Sequence, residues 1–368
     1  MQGYLIYIVF IILGLSCFLA FSFVKNKKNE VFFLLIILSF FFLIATLKSS
    51  KVGIDSITYE NIYATITKRT FVEMLKYYNP EFAFYVPMYL FSLMGAPYLV
   101  FKIFAYLLIC LFLFLSFFKR KQYLFELILL FFIGFFSMSF SALRQGIAMS
   151  IICYAFSFYI FEKRINKPVL KDVIFVAIIL SATLFHSSSI FCLLVLPFLH
   201  IKIHVKYLVF FLIFIPFFPA LFASFINIIN DVIVTDYVVY SSRLSYRMFL
   251  FIVIVVVFLL LKDKKVYQRI KLDRFLDYEQ FTDEDLKMFF ISLFCIIFSS
   301  FNVFSQIMAR LSFFFLPASG FLISKITSTI KNRRIETIIE SIAIVVFGLY
   351  FLYDTKTLGI YPYEFLWQ

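Results

Sequence analysis

"GYLIYIVFIILGLSCFLAFSFV", Gly3 to Val24, runs without one charged residue. At about 1.5 Å of rise per residue, a helix of this length crosses a hydrocarbon layer about 30 Å thick. The alternation of polar and apolar residues that marks a membrane β-strand is missing, and a helix satisfies its own backbone polar groups inside lipid. No Lys or Arg precedes Gly3 and no small-residue cleavage site follows Val24, so the segment is expected to stay on the chain.

Runs of the same kind recur along all 368 residues, of which 63% are hydrophobic and only 15% charged. With a mean hydropathy of +0.99, the chain has too little polar surface to cover a water-soluble globule. The net charge of +13 does not indicate nucleic acid, because the basic residues cluster between apolar runs as they do in cytoplasmic loops. The clusters are "KNKK" at Lys25, "KRK" at Lys119, "EKRINKPVLK" from Glu162, "KIHVK" at Lys202, "KDKKVYQRIKLDR" from Lys262 and "KNRR" at Lys331. Placing them inside yields about twelve spans with both termini outside: 3–24, 31–47, 97–118, 123–140, 146–161, 172–186, 187–199, 207–226, 247–261, 287–305, 311–324 and 337–353. "FAFYVPMYLFSLMG", Phe82 to Gly95, is too short for a crossing and contains Pro87. It reads as a re-entrant or interfacial helix on the outer side. The expected fold is an all-α polytopic membrane protein with a single domain over 1–368, an outer loop at 48–96 with short helices, and an inner charged segment at 262–286.

The five cysteines, Cys17, Cys110, Cys153, Cys192 and Cys295, all lie in apolar runs without CxxC spacing. They read as small buried hydrophobes rather than a disulfide framework or metal site. His200 and His204 are spaced i, i+4 but fall in a basic inner loop with no third ligand nearby, which favours a solvated loop. Gly-rich phosphate loops, GxSxG and HExxH are missing, and no metal or cofactor is expected.

The remaining polar residues carry the functional signal. Asp55, Arg144, Gln145, His186, Ser188, Arg243, Arg247 and Arg310 come from separate regions, yet all map to the outer ends of spans or outer loops. Basic residues there run against the positive-inside bias, and ionisable groups near membrane depth mark functional sites. "ATLFHSSSI", Ala182 to Ile190, reads as a tight outer turn between two short spans.

Each residue has a structural alternative. His186 reads as a base or donor toward a substrate oxygen, or as a neutral histidine bonded to a carbonyl in a helical hairpin. Ser188 reads as a sugar or phosphate contact, or as part of a helix start. Arg144, with Gln145 beside it, and Arg310 offer planar forks for an anion such as diphosphate, or snorkel to lipid headgroups. Arg243 and Arg247 would share one helix face as an anion clamp, or contact headgroups. Asp55, Tyr59 and Tyr63, four apart, fall on one face of a helix beginning near Ser56. They read as a carbohydrate surface, with Asp55 alternatively only the N-cap.

"TLKSSKVGIDSITYENIY", "ALRQGIAMSI", "ATLFHSSSI", "MARLSFFFLP" and the terminal "YPYEFLW", in that order, resemble the EpsG-like family of Wzy-type polysaccharide polymerases from about Leu47 to Phe365. The family's Gly-x-Asp-x-x-x-Tyr pattern falls on Gly53, Asp55 and Tyr59, its Arg-Gln on Arg144 and Gln145, its Phe-His-x-Ser on Phe185, His186 and Ser188, and its late arginine on Arg310. Lys48 stands where relatives often carry arginine, and Asn79-Pro80-Glu81-Phe82 replaces a common Glu-Pro-Gly. Lys48 and Glu81 are therefore not counted among the site residues.

The resemblance implies an enzyme joining polyprenyl-diphosphate-linked oligosaccharide repeat units, as donor and acceptor, at the outer face of the bacterial cytoplasmic membrane. The product would be a capsular, exopolysaccharide or O-antigen-like chain. On this reading Arg144 and Arg310 hold the donor diphosphate, His186 or Asp55 activates the acceptor, and Tyr59, Tyr63, Gln145, Ser188, Arg243 and Arg247 bind substrate. Membrane lipid surrounds the protein, and a chain-length regulator and a flippase fit as protein partners. The alternatives are a flippase or transporter of lipid-linked oligosaccharides, which would need charges along a mid-membrane path, and a related membrane glycosyltransferase or ligase.

Overall fold

The computed structural model describes residues 2–24, 27–118, 123–165, 167–200, 246–262, 282–300 and 310–367. Among these residues the regular elements are all helical, with one isolated extended bridge between Lys48 and Phe365. They form two compact units, Met1–Ile190 with Arg334–Gln368, and Phe191–Arg333.

The first unit opens with α1 (Leu5–Val24) and α2 (Lys27–Leu47), followed by three short helices, α3 (Ser56–Thr65), α4 (Phe71–Tyr77) and α5 (Phe82–Leu93). Then come α6 (Tyr98–Phe117), α7 (Tyr123–Leu130), a π-type turn at Phe131–Phe135, α8 (Phe136–Ser141), α9 (Leu143–Phe161) and α10 (Pro168–Thr183). The C-terminal helix Arg333–Thr357 returns to this unit, where Phe351 stacks on Phe132 and meets Tyr7 edge-on.

Every residue from Leu124 to Ser141 is buried. The apolar character of this stretch runs around the whole helix, the pattern of an element enclosed by others. Around it, α1 and the C-terminal helix turn large apolar side chains outward, with Leu5 63% and Leu349 63% exposed. Apolar surface facing away from the protein on long helices is what a lipid environment requires.

The chain is thus an all-α polytopic membrane protein. Six described helices are long and apolar enough to cross, and four shorter apolar ones accompany them. At 12 residues, α5 covers about 18 Å, well short of a crossing. The segments read as 123–140 and 146–161 are separated by Ala142 alone, because α8 ends at Ser141 and α9 begins at Leu143. So tight a turn needs close backbone approach, and a Cβ on Gly146 would sit 2.8 Å from the Ser139 Cα.

In the second unit, Tyr246–Lys262, Asp283–Ser300 and Ser312–Thr327 are helical. Phe294 and Phe298 both stack on Phe315, at 5.6 and 5.5 Å. Asp285 caps its own helix by accepting from the Thr282 N–H at 2.8 Å, and it pairs with the buried Lys262 at 3.1 Å. The span read at 207–226, His204 and most of the charged segment 262–286 lie outside the described residues.

Candidate functional site

The site begins where α2 ends. Residues 48–56 are held on both sides: Gly53 N–H donates to Gly359 O at 2.9 Å, and Asp55 N–H donates to Ser141 O at 3.0 Å. Gly53 has a φ of +99°, and a Cβ there would lie 2.5 Å from the Phe140 O. Only glycine suits a left-handed turn pressed this closely on another backbone. The turn launches α3 at Ser56 with Asp55 in the N-cap position. The Asp55 carboxylate makes no capping bond and no ion pair among the described residues, and its side chain is half-buried.

One and two turns along α3, Tyr59 and Tyr63 share a face as their spacing indicates, but that face is turned inward. Tyr63 is 7% exposed, its hydroxyl donates to Ala96 O at 2.6 Å, and its ring packs on Tyr98 and Phe101. Its surroundings are those of a packing residue rather than an open sugar platform. Tyr59 is 3% exposed. Burial pushes its phenol up while the Arg144 charge pulls it down, with a net rise that keeps the hydroxyl neutral.

Arg144 is the second residue of α9 and reaches both α3 and the start of α5. Its Nε–H donates to the Tyr59 hydroxyl at 3.3 Å, and its Nη1 pairs with Glu81 Oε2. The guanidinium also lies over the rings of Tyr59 and Tyr85, at 5.5 and 5.6 Å. Aromatic faces and a carboxylate together stabilise a partly desolvated cation.

Glu81, immediately before α5, joins this arginine to the histidine turn. Its Oε1 accepts from Ser187 N–H at 2.9 Å and from the Ser187 hydroxyl at 3.1 Å, and it lies 3.1 Å from His186 Nδ1. Main-chain contacts fix the two segments together: Ala83 N–H donates to Leu184 O, and His186 N–H donates to Ala182 O, both at 3.0 Å. Burial raises the Glu81 carboxyl, but the His186 hydrogen bond, the Arg144 charge, the Ser187 N–H and the His186 charge outweigh it and hold it at about 2. An ionised carboxylate only accepts, so in this contact the proton sits on Nδ1.

The fold therefore gathers Asp55, Tyr59, Arg144 and His186 from the sequence reading and adds Glu81, which that reading set aside. A partly buried arginine calls for a counter-charge, and Glu81 is the carboxylate directly before the outer apolar segment 82–95; that was the usable signal. Tyr85, one turn further along α5, gave none. Lys48, the other residue set aside, is buried beneath the α3 turn.

Gln145 is buried and Ser188 half-buried. Arg310 is half-buried in the second unit, in the turn preceding Ser312–Phe315. Arg243 lies outside the described residues, as does the side chain of Arg247. Among the described residues no three His, Cys, Asp or Glu side chains come together in a group fit for a metal.

Helices of this length and polarity define a polytopic membrane protein, and in it an arginine, a carboxylate and a histidine are joined at helix ends. The EpsG family model matches residues 30–365, nearly the whole chain, so the chain belongs to the EpsG family, whose members are Wzy-type polymerases. It stands accordingly among the membrane polysaccharide polymerases. No curated protein and no solved structure matches the chain.

Proposed function

We propose that this polymerase joins oligosaccharide repeat units carried on polyprenyl diphosphate, at the outer face of the bacterial cytoplasmic membrane. The observation that carries the reading is one carboxylate, Glu81, shared between a guanidinium and an imidazole. It unites a cation for a departing anion with a base for an incoming hydroxyl.

In the transfer, the acceptor hydroxyl oxygen bonds to the donor's anomeric carbon as the bond from that carbon to the diphosphate oxygen breaks. The electron pair leaves with the diphosphate, and fixed cations at that point lower the barrier most. Arg144 has five N–H groups, of which Tyr59 and Glu81 engage two. The others suit phosphate oxygens in charge-assisted bonds.

With Nδ1 donating to Glu81, Nε2 is the ring atom that takes the acceptor's proton. Such general-base help is typically worth about 10²- to 10⁴-fold. Glu81 then stabilises the imidazolium formed. Asp55, with its unengaged carboxylate beside Tyr59, is the second candidate base or a sugar-hydroxyl acceptor. Arg310 is proposed as a further diphosphate cation, with Gln145, Ser188, Arg243 and Arg247 guiding substrate.

The test is the length of surface polysaccharide on a gel in cells carrying Arg144→Ala or His186→Ala, at checked membrane abundance. Single repeat units replacing the ladder are expected. An unchanged ladder removes these residues from the site, and units trapped inside the cell would point to a flippase instead.

A further inference from the structure

Tyr59 also borders a small pocket whose chemistry differs from that around Arg144. Lys48, 3% exposed, lies at its base, and Lys102, 4% exposed, enters it from the second turn of α6. The Lys48 Nζ donates to Val52 O at 2.6 Å, to Phe140 O at 2.9 Å and to the Ser56 hydroxyl. Ser56 in turn donates its own proton to Val52 O at 2.8 Å, so its oxygen accepts from the lysine. Two carbonyls and one hydroxyl thus surround the Lys48 nitrogen.

Lys102 donates to the Lys48 carbonyl at 2.8 Å. That is the single protein acceptor its nitrogen meets among the described residues, and neither lysine has a carboxylate at ion-pair distance there. Glu60 is exposed and acts on Lys102 only from further off. Burial and the neighbouring Lys102 both work to strip the Lys48 proton, which leaves Lys102 as the cation of the pair.

The pocket is also lined by Ser49, Ser50 and Tyr98, and the Lys102 Nζ lies 5.9 Å from the centroid of the Tyr98 ring. The three hydroxyls donate to no protein acceptor among the described residues, and the Ser49 Oγ accepts from the Lys51 N–H at 3.3 Å. The cavity, about 10 Å³, has room for one water-sized occupant.

Buried ammonium groups without a carboxylate are costly unless an opposite charge joins them. We propose that this pocket is a site for a single monatomic anion, chloride in the cell, held by Lys102 with the hydroxyls of Ser49, Ser50 and Tyr98. The anion supplies the counter-charge that the fold leaves out, and it stabilises the turn from which α3 starts.

Purified full-length protein in lipid nanodiscs is melted in sodium chloride and in sodium gluconate at equal ionic strength. A saturable rise in Tm of about 3 °C in chloride is expected, reproduced by bromide and absent in Lys102→Met. Equal Tm in both salts overturns the proposal, as does a rise that survives Lys102→Met. Should that variant fail to accumulate, bromide-soaked crystals of the unaltered protein decide: an anomalous peak at the Lys102 Nζ supports the site, and none at saturating bromide overturns it.

Discussion

Arg144 and Lys102 both neighbour Tyr59, and the fold treats their charges in opposite ways. Arg144 enters a setting built around it, with Glu81 on one edge, Tyr59 and Tyr85 across its faces, and His186 and Ser187 completing the carboxylate's shell. Lys102 also lies over an aromatic ring, that of Tyr98, but has only a backbone carbonyl and a second lysine beside it, with Ser49 and Ser50 lining the same pocket. The difference teaches where each charge is meant to meet its partner. A carboxylate on the protein orients groups for chemistry, whereas a donor-rich hollow without one leaves the counter-charge to a ligand.

The sharpest way to break the comparison is to remove the carboxylate. Glu81→Gln keeps the shape but leaves Arg144 without its counter-charge and the His186 ring without its anchor. Polymer length should collapse to single units, with in vitro turnover down about 10²-fold or more. Normal ladders in this variant would reduce Glu81 to a structural tie.

Arg144→Lys is next in size. It retains the charge but loses the planar fork and the stacking on Tyr59 and Tyr85. Turnover is expected to fall about 10-fold, with a larger loss in donor KM than a packing defect would cause.

Acid tests the same carboxylate through stability. The folded Glu81 carboxyl lies at about 2 against an ordinary 4.5, so its contribution is fully present above pH 4.5 and is lost as pH falls toward 2. Tm of the wild type should therefore drop over that interval more steeply than Tm of Glu81→Gln. Parallel curves would mean that the ion pair adds nothing to folding.

The smallest effect separates the two tyrosines of α3. Tyr63→Phe removes one hydroxyl bond to Ala96 O and should cost about 1 kcal/mol of stability with little change in polymer length. Tyr59→Phe removes a bond to Arg144 and should shorten the polymer instead. Equal effects on chain length would place both rings in the substrate path.

Much of this architecture follows from the chain alone, because hydrocarbon admits few ways to satisfy a backbone. Long uncharged runs such as Gly3 to Val24 can only be helices there. The basic clusters then separate one set of loops from the other, leaving Asp55, Arg144 and His186 together by elimination. The shared face of Tyr59 and Tyr63 is likewise a matter of helical period.

What period cannot tell is which way a face turns. Tyr63 packs inward because α3 lies against α5 and the start of α6, a contact between residues far apart in sequence. Glu81 was set aside for the same reason: its partners are 63 and 105 residues away. The two lysines meet across 54 residues, one at the end of α2 and one inside α6, where each alone reads as an isolated charge near a membrane boundary. Composition and periodicity, which are local, determined that this protein is a helical membrane protein and at which helix ends its polar residues collect. Only the tertiary structure decided which of those residues touch, because ion pairs and pockets depend on distances that chain connectivity does not fix.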